Sequence, residues 1–203
     1  MTNSDINFYL SIEKESVAEF KDRGSRFIAY AFPVSSVDDF KKRLKQLKDE
    51  HPKAAHHCFA YRIGSDGNNF RSSDDGEPPG SAGRPILGQI DSKGIINTAV
   101  IVVRYFGGTL LGVPGLINAY KAATSTALQA SLIVRKPVLV NFRVQFDYTL
   151  LNDVMRIIKK HDCIVVKQEL QLFCTLEVAI PKASADICIT LLTELKNLEL
   201  SPV

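Results

Sequence analysis

The chain has no apolar run approaching the roughly 20 residues needed to cross a bilayer. Its start, Met1-Thr2-Asn3-Ser4-Asp5, has no basic stretch leading into an apolar core, so no secretory leader is expected. The expected compartment is the cytoplasm. The four cysteines, Cys58, Cys163, Cys174 and Cys188, include no Cys-x-x-Cys pair, which argues against a zinc knuckle and a thioredoxin-type redox centre. There is no Gly-Lys-[Ser/Thr] of a phosphate loop and no Gly-x-Ser-x-Gly elbow. A strong charge of either sign is also missing. The net charge is +3, and the excess lies in the first part: residues 1–135 hold 17 Lys/Arg against 14 Asp/Glu, residues 136–203 hold 8 against 8.

What is present is the composition of a folded protein, 45% hydrophobic and 23% charged over 203 residues. Apolar stretches around Val17–Phe20 and Phe27–Phe32, split by the turn-like Asp22-Arg23-Gly24-Ser25, predict a hairpin. Ser35 or Ser36 then caps a helix whose Val37, Phe40, Leu44 and Leu47 form one stripe, with Pro52 beyond its end. A strand is expected over Ala54–Ile63. Ser72–Gly83 reads as loop and Pro85–Ile90 as a short helix.

Thr98–Val103 is a continuous apolar or β-branched run, the pattern of a strand buried on both faces. It leads into a glycine-rich loop and then a helix over Leu116–Val134 with the small residues Ala122–Ala127. After Pro137 the pattern restarts. Strands at Val138–Phe146, Ile164–Gln168 and Leu170–Ile180 alternate with helices over Leu150–His161 and beyond Pro181, the latter carrying Ile187, Leu191 and Leu195. With a final strand at Leu198–Leu200 the order is βαββαβ, that of a ferredoxin-like domain. The expected fold class is α+β, with domains at 1–135 and 136–203.

Ser73-Asp74-Asp75-Gly76-Glu77-Pro78-Pro79-Gly80 places three carboxylates in four positions. Crowded carboxylates need a cation, an arginine or water beside them, so a solvated helix-capping turn and a divalent-cation site both fit. The backbone of Gly80–Arg84, just before a helix, has the form of a phosphate cradle, although the adjacent acids would repel an anion. His56 and His57 are neighbours on a strand and point to opposite faces, so they cannot chelate one ion together. Arg104 closes the apolar strand and opens into Gly107-Gly108, where backbone can be approached closely. Its alternatives are a ligand contact and an ion pair with Asp74, Asp75 or Glu77. The basic helix surface Lys41-Lys42-Arg43 with Lys45 and Lys48 fits phosphate contact or simple solvation.

Four segments occur in this order in a known family: Ser25-Arg26-Phe27-Ile28; His56-His57-Cys58-Phe59-Ala60-Tyr61; Asp74 through Leu87; and Arg104-Tyr105-Phe106-Gly107-Gly108. On these the chain resembles the IMPACT/YigZ family over about residues 13–135, with a tail similar to the ferredoxin-like extension of bacterial members. The resemblance implies a first domain similar to the second domain of a small-subunit ribosomal protein, and a second domain similar to the last domain of elongation factor G. It also implies a link to translation, since eukaryotic relatives regulate translation in amino-acid starvation by competing for a protein partner. Where the family commonly has Thr-Lys-Leu-Gly followed by a glycine pair, this chain reads Thr109-Leu110-Leu111-Gly112-Val113-Pro114-Gly115. The lost cation and added proline argue against a loop that grips phosphate.

The expected function is a translation-associated regulator or accessory factor that binds RNA, the ribosome or a protein partner. Its binding residues would be His57, Asp74, Asp75, Glu77, Arg84, Arg104, Tyr105, Gly107 and Gly108, with no cofactor or metal set and no membrane. The alternative is an enzyme on a phosphorylated or nucleotide substrate, with Asp74, Asp75 and Glu77 holding Mg²⁺ and Arg84 or Arg104 neutralising phosphate. That requires Arg104 within about 10 Å of a loop carboxylate. A third possibility is an interaction module whose loops chiefly stabilise the fold.

Overall fold

The computed structural model describes residues 7–203, so the N-terminal stretch read above as lacking a leader falls outside the described residues. One compact unit runs Tyr9–Lys136. The other comprises Pro137–Val203 with the described residues before Tyr9.

In the first unit, β2 (Ser16–Asp22) and β3 (Ser25–Pro33) form the expected hairpin. Its two turn residues, Arg23 (φ 44°) and Gly24 (φ 81°), are both left-handed, which suits the twist of the flanking strands. With β4 (His56–Ile63), β5 (Asn69–Ser73) and β6 (Thr98–Tyr105) they build an antiparallel sheet in the order β2-β3-β6-β4-β5. The central strand β6 is buried from Thr98 to Arg104, as its apolar run predicts.

Helix α1 (Val37–Glu50) covers one face through Phe40 and Leu47, which pack with Phe59, Tyr61, Ile101 and Val103. It is capped by Ser36, whose Oγ accepts from the Asp39 amide at 3.1 Å. Helices α2 (Gly83–Ser92) and α3 (Gly112–Ala130) cover the other face, where Phe27, Cys58, Ala60, Val100 and Val102 meet Ile86, Ala119, Tyr120 and Ala123. The small residues Ala119, Ala123 and Ala127 of α3 are buried in that cluster.

Three elements differ from expectation. Helix α3 begins at Gly112 rather than Leu116, because Pro114 falls in the first turn, where its missing N–H leaves no bond unmade. It ends at Ala130, and the β-branched Ile133 and Val134 belong to a strand, β7 (Ile133–Pro137), paired with β1 (Phe8–Ile12). The polar segment Asn69–Ser73 is an edge strand held by main-chain pairing to β4, which hydropathy does not report.

The second unit carries β8 (Leu139–Asp147), α4 (Leu151–Lys160), β9 (Ile164–Glu169), β10 (Phe173–Pro181), α5 (Ala185–Thr193) and β11 (Leu198–Pro202). Its antiparallel order, β11-β8-β10-β9, is ferredoxin-like. Val144, Phe146, Cys174, Leu176, Val178 and Ile180 point to one face, covered by Val154 and Ile158 of α4 and by Cys188 and Leu192 of α5. On α5 the buried stripe is Ala185, Cys188 and Leu192, while Ile187, expected inside, is exposed.

Candidate functional site

The hairpin turn, the acidic loop and the end of β6 meet on the α2/α3 side of the first sheet. Arg104 and Glu77 are both buried there, and Arg104 Nη1 donates to Glu77 Oε1 at 2.6 Å. The same Glu77 oxygen accepts from the Tyr120 hydroxyl at 2.8 Å and lies 3.8 Å from His56 Nε2. Arg104 Nη2 reaches Ser25 Oγ at 3.4 Å, and its guanidinium lies 5.3 Å from the Phe27 ring centre and 5.6 Å from that of Phe106. Arg104 Nε has no partner. A charge pair of this kind holds only if each end is well supplied with partners, since removing either leaves an uncompensated charge in the core.

The neighbouring loop is closed by Asp74. Its Oδ2 accepts from the Gly80 amide at 2.9 Å, and its Oδ1 from the amides of Ala82 at 3.0 Å and Gly83 at 2.8 Å. The cradle that the sequence offers for a phosphate is therefore filled by the chain's own carboxylate at the start of α2. Burial alone would raise the Asp74 pKa, but the amide donors of Gly80, Gly83 and Ala82, with Arg84 nearby, outweigh it and hold the carboxyl below its ordinary value. Arg84 is exposed. Asp75, in the left-handed region at φ 43°, accepts the His57 amide on Oδ2 at 2.7 Å and lies 3.8 Å from Lys48.

The remaining predicted residues divide between the two faces. His57 and Tyr105 point to the α1 side, away from Arg104. His57 is buried, and burial lowers its pKa while Asp75 pulls the other way, so the imidazole is held toward its neutral form with Nε2 unpartnered. The Tyr105 hydroxyl lies 2.9 Å from His51 Nδ1, whose Nε2 lies 2.7 Å from the Tyr30 hydroxyl. Gly107 is required by packing: a Cβ there would stand 1.9 Å from the Gly24 carbonyl carbon and 2.2 Å from the Ser25 nitrogen. Its own amide donates to Ser25 Oγ at 3.2 Å. Gly108 is different, with φ +85° and open space where a side chain would be.

Sequence reading brought Arg104 and Glu77 together and missed their supports. Tyr120 sits in a run of small helical residues, where a lone phenol is itself a signal of a buried polar partner. Burial, then the neighbouring Cys58 and Glu77, raise its pKa far above that of a free phenol, so it stays protonated and donates. Cys58, likewise raised by burial, has its Sγ 2.9 Å from the Asp74 carbonyl and 3.2 Å from the Tyr120 oxygen, and its single S–H is shared between these acceptors. His56 Nδ1 lies 2.8 Å from the Asp75 carbonyl. Ser25 was marked only by its place in a turn and at the head of the first family segment, neither of which says that it meets Arg104.

No cluster of three or more His, Cys, Asp or Glu side chains suited to a metal ion occurs among the described residues, and no helix there is long and apolar enough to cross a membrane. The segment that follows Arg104 exposes apolar side chains, Phe106 51%, Leu110 83% and Val113 45%, and its Gly107 packs against Gly24 and Ser25 of the hairpin turn.

The Impact N-terminal domain family matches residues 23–128, more than half of the chain. IMPACT family member YigZ of Escherichia coli is 36% identical over 78% of this chain and 79% of its own. Protein IMPACT of Rattus norvegicus is 38% identical over 47% of this chain and 31% of its own. A solved structure described as that of a hypothetical protein aligns over 98% of both chains at 31% identity, with a TM-score of 0.78. The matched residues include the hairpin turn, the acidic loop and the Arg104 strand end, and on that match the chain belongs to the IMPACT family.

Proposed function

We propose that the chain is a cytoplasmic, translation-associated regulator or accessory factor that works by association rather than turnover. It engages RNA, the ribosome or a protein partner through the segment carrying Phe106, Gly108, Leu110 and Val113 that follows Arg104. The translational context comes from family membership, through the relatives' implied role. The observation that carries the choice of association is that the chain's own groups already occupy the carboxylates of Asp74 and Glu77. Asp74 accepts three backbone amides, and Glu77 is shared by Arg104 and Tyr120.

A catalytic reading asks that the same groups face a substrate. The distance condition for it is met, because Arg104 touches Glu77, but it is met by a closed ion pair with both side chains inside the core. The charges serve as a scaffold that fixes the Arg104–Gly108 strand end and sets Phe106 against a buried guanidinium with half its surface outward. In the second unit the uncovered sheet face carries Asn141, Arg143, Gln145, Lys167, Thr175 and Glu177, with Phe173 only at its end. Sheet-type RNA binders stack bases on central aromatics, so this face is a poor match and the first unit is assigned the contact.

Cosedimentation with ribosomes across a salt series tests the proposal. Association that weakens steeply with salt and falls on Phe106→Ala combined with Leu110→Ala is expected. Absence of cosedimentation together with absence of salt-sensitive RNA binding overturns it.

A further inference from the structure

Two of the four thiols face each other within the second unit. Cys163 Sγ lies 3.6 Å from Cys188 Sγ, and both are free. Cys163 follows the end of α4, where its amide bonds the Ile158 carbonyl at 3.0 Å and the preceding Asp162 takes a left-handed φ of 53°. Such a helix-terminating bond fixes the backbone that carries the thiol. Cys188 is in the interior of α5, fully buried and held by the packing of Leu176, Val178 and Leu192 around it. The two sulfurs already lie in contact, and a disulfide needs their closure to about 2.05 Å. The other two thiols point elsewhere. Cys174 Sγ contacts the Gln171 carbonyl, and Cys58 belongs to the first unit's network.

We propose that Cys163 and Cys188 are a site of reversible oxidative modification, forming an intramolecular disulfide with a peroxide as oxidant. Cys163 is the partly exposed member and reacts first. Its thiolate attacks one peroxide oxygen; the sulfur–oxygen bond forms as the oxygen–oxygen bond breaks, and the departing hydroxide takes up a proton to leave as water. Cys188 sulfur then attacks the sulfenic sulfur of Cys163, expelling hydroxide, which leaves as a second water with the Cys188 proton. Two thiols and one hydrogen peroxide give one disulfide and two waters. A dithiol reductant reverses the reaction by exchange. The product ties the end of α4 and the start of edge strand β9 to α5.

Burial, then the contact with Cys188, pushes the Cys163 thiol up to about 12, and burial raises Cys188 as well. The reactive thiolate is therefore scarce at neutral pH. The rate of closure is expected to rise about tenfold per pH unit in that range.

The test is hydrogen peroxide treatment of the full native chain, followed by thiol titration and non-reducing peptide mapping. Of the four free thiols two are expected to remain, the mapped bridge to join 163 and 188, and the melting temperature to rise by about 10 °C and return on reduction with dithiothreitol. Cys188→Ser should leave Cys163 to proceed to sulfinic acid, and Cys174→Ser should form the bridge unchanged. Because Cys163 is partly exposed, Cys163→Ser gives a second bridge-null variant that disturbs the core less than any change at Cys188. Four titratable thiols surviving prolonged peroxide exposure at pH 9, where the thiolate is about a hundredfold more abundant than at pH 7, a bridge seen only in denaturant, or a bridge to Cys58 or Cys174 would each overturn the assignment.

Discussion

The two units solve the same problem with sheets that differ in how many faces they bury. In the first, α1 lies on one side and α2 with α3 on the other, so β6 is enclosed from Thr98 to Arg104. In the second, α4 and α5 cover one side, and strands β8 and β10 alternate between core and solvent. An ion pair at the end of β6 is therefore forced into the core, as Arg104 with Glu77, whereas Arg143 and Glu177 on β8 and β10 pair across a solvated face at 3.0 Å. Similar chemistry has opposite consequences. The buried pair depends on the further hydrogen bonds from Tyr120 to Glu77 and from Arg104 to Ser25, while the exposed pair is optional.

The largest effect that bears on this contrast is expected from Glu77→Ala. It strands the Arg104 guanidinium and the Tyr120 hydroxyl in the core, at a cost of about 3–5 kcal/mol. Urea unfolding of the first unit measures it. The paired replacement Arg104→Leu with Glu77→Leu should recover part of the loss, because it removes the charge as well as its partner. A loss under about 1 kcal/mol for Glu77→Ala would mean that water reaches the guanidinium and that the lock is open.

Legibility from sequence followed the same division. The doubly buried β6 is readable because both faces demand apolar residues, and Thr98–Val103 supplies them without interruption. The alternating second unit is readable because period-two and helical patterns succeed each other within short segments. What escaped was structure made by backbone: Asn69–Ser73 has the composition of a loop and becomes a strand through pairing with β4. The candidate site was half legible. Arg104 and Glu77 stand out as charges in apolar or constrained surroundings, yet Tyr120 is 43 residues from Glu77 and no local pattern joins them. The helix-capping turn was legible in the acidic loop, while the identity of the capping carboxylate was not, because Asp74 reaches amides six to nine residues downstream.

Asp74 gives the intermediate case, a carboxylate neither enclosed like Glu77 nor solvated like Glu177. Asp74→Asn keeps the shape but replaces one accepting oxygen by a donor that faces amide donors, with an expected loss of about 1–2 kcal/mol. Its pH dependence has a definite sign. The folded carboxyl is depressed, so its contribution is complete above the unfolded value near 3.8 and is lost as pH falls through the lower folded value. Urea midpoints for the native chain should drop across that acid window, and the part due to Asp74 should be missing from the Asp74→Asn profile. Parallel profiles for the two proteins would show that the three amides contribute no differential stabilisation.

The smallest effect is expected from Arg143→Ala. Arg143 is half exposed and donates to Glu177 on a face open to water, so the pair gains little Coulomb energy and both groups return to solvent when it is broken. Lys167, opposite Glu177 in the β9–β10 register, offers a replacement cation. The expected change is below about 1 kcal/mol and shrinks as salt is added, read from denaturant unfolding at low and high ionic strength. A cost comparable to that of Glu77→Ala would mean that this face is covered, in solution, by something that excludes water from it. The contrast between the units would then be one of partner rather than of fold.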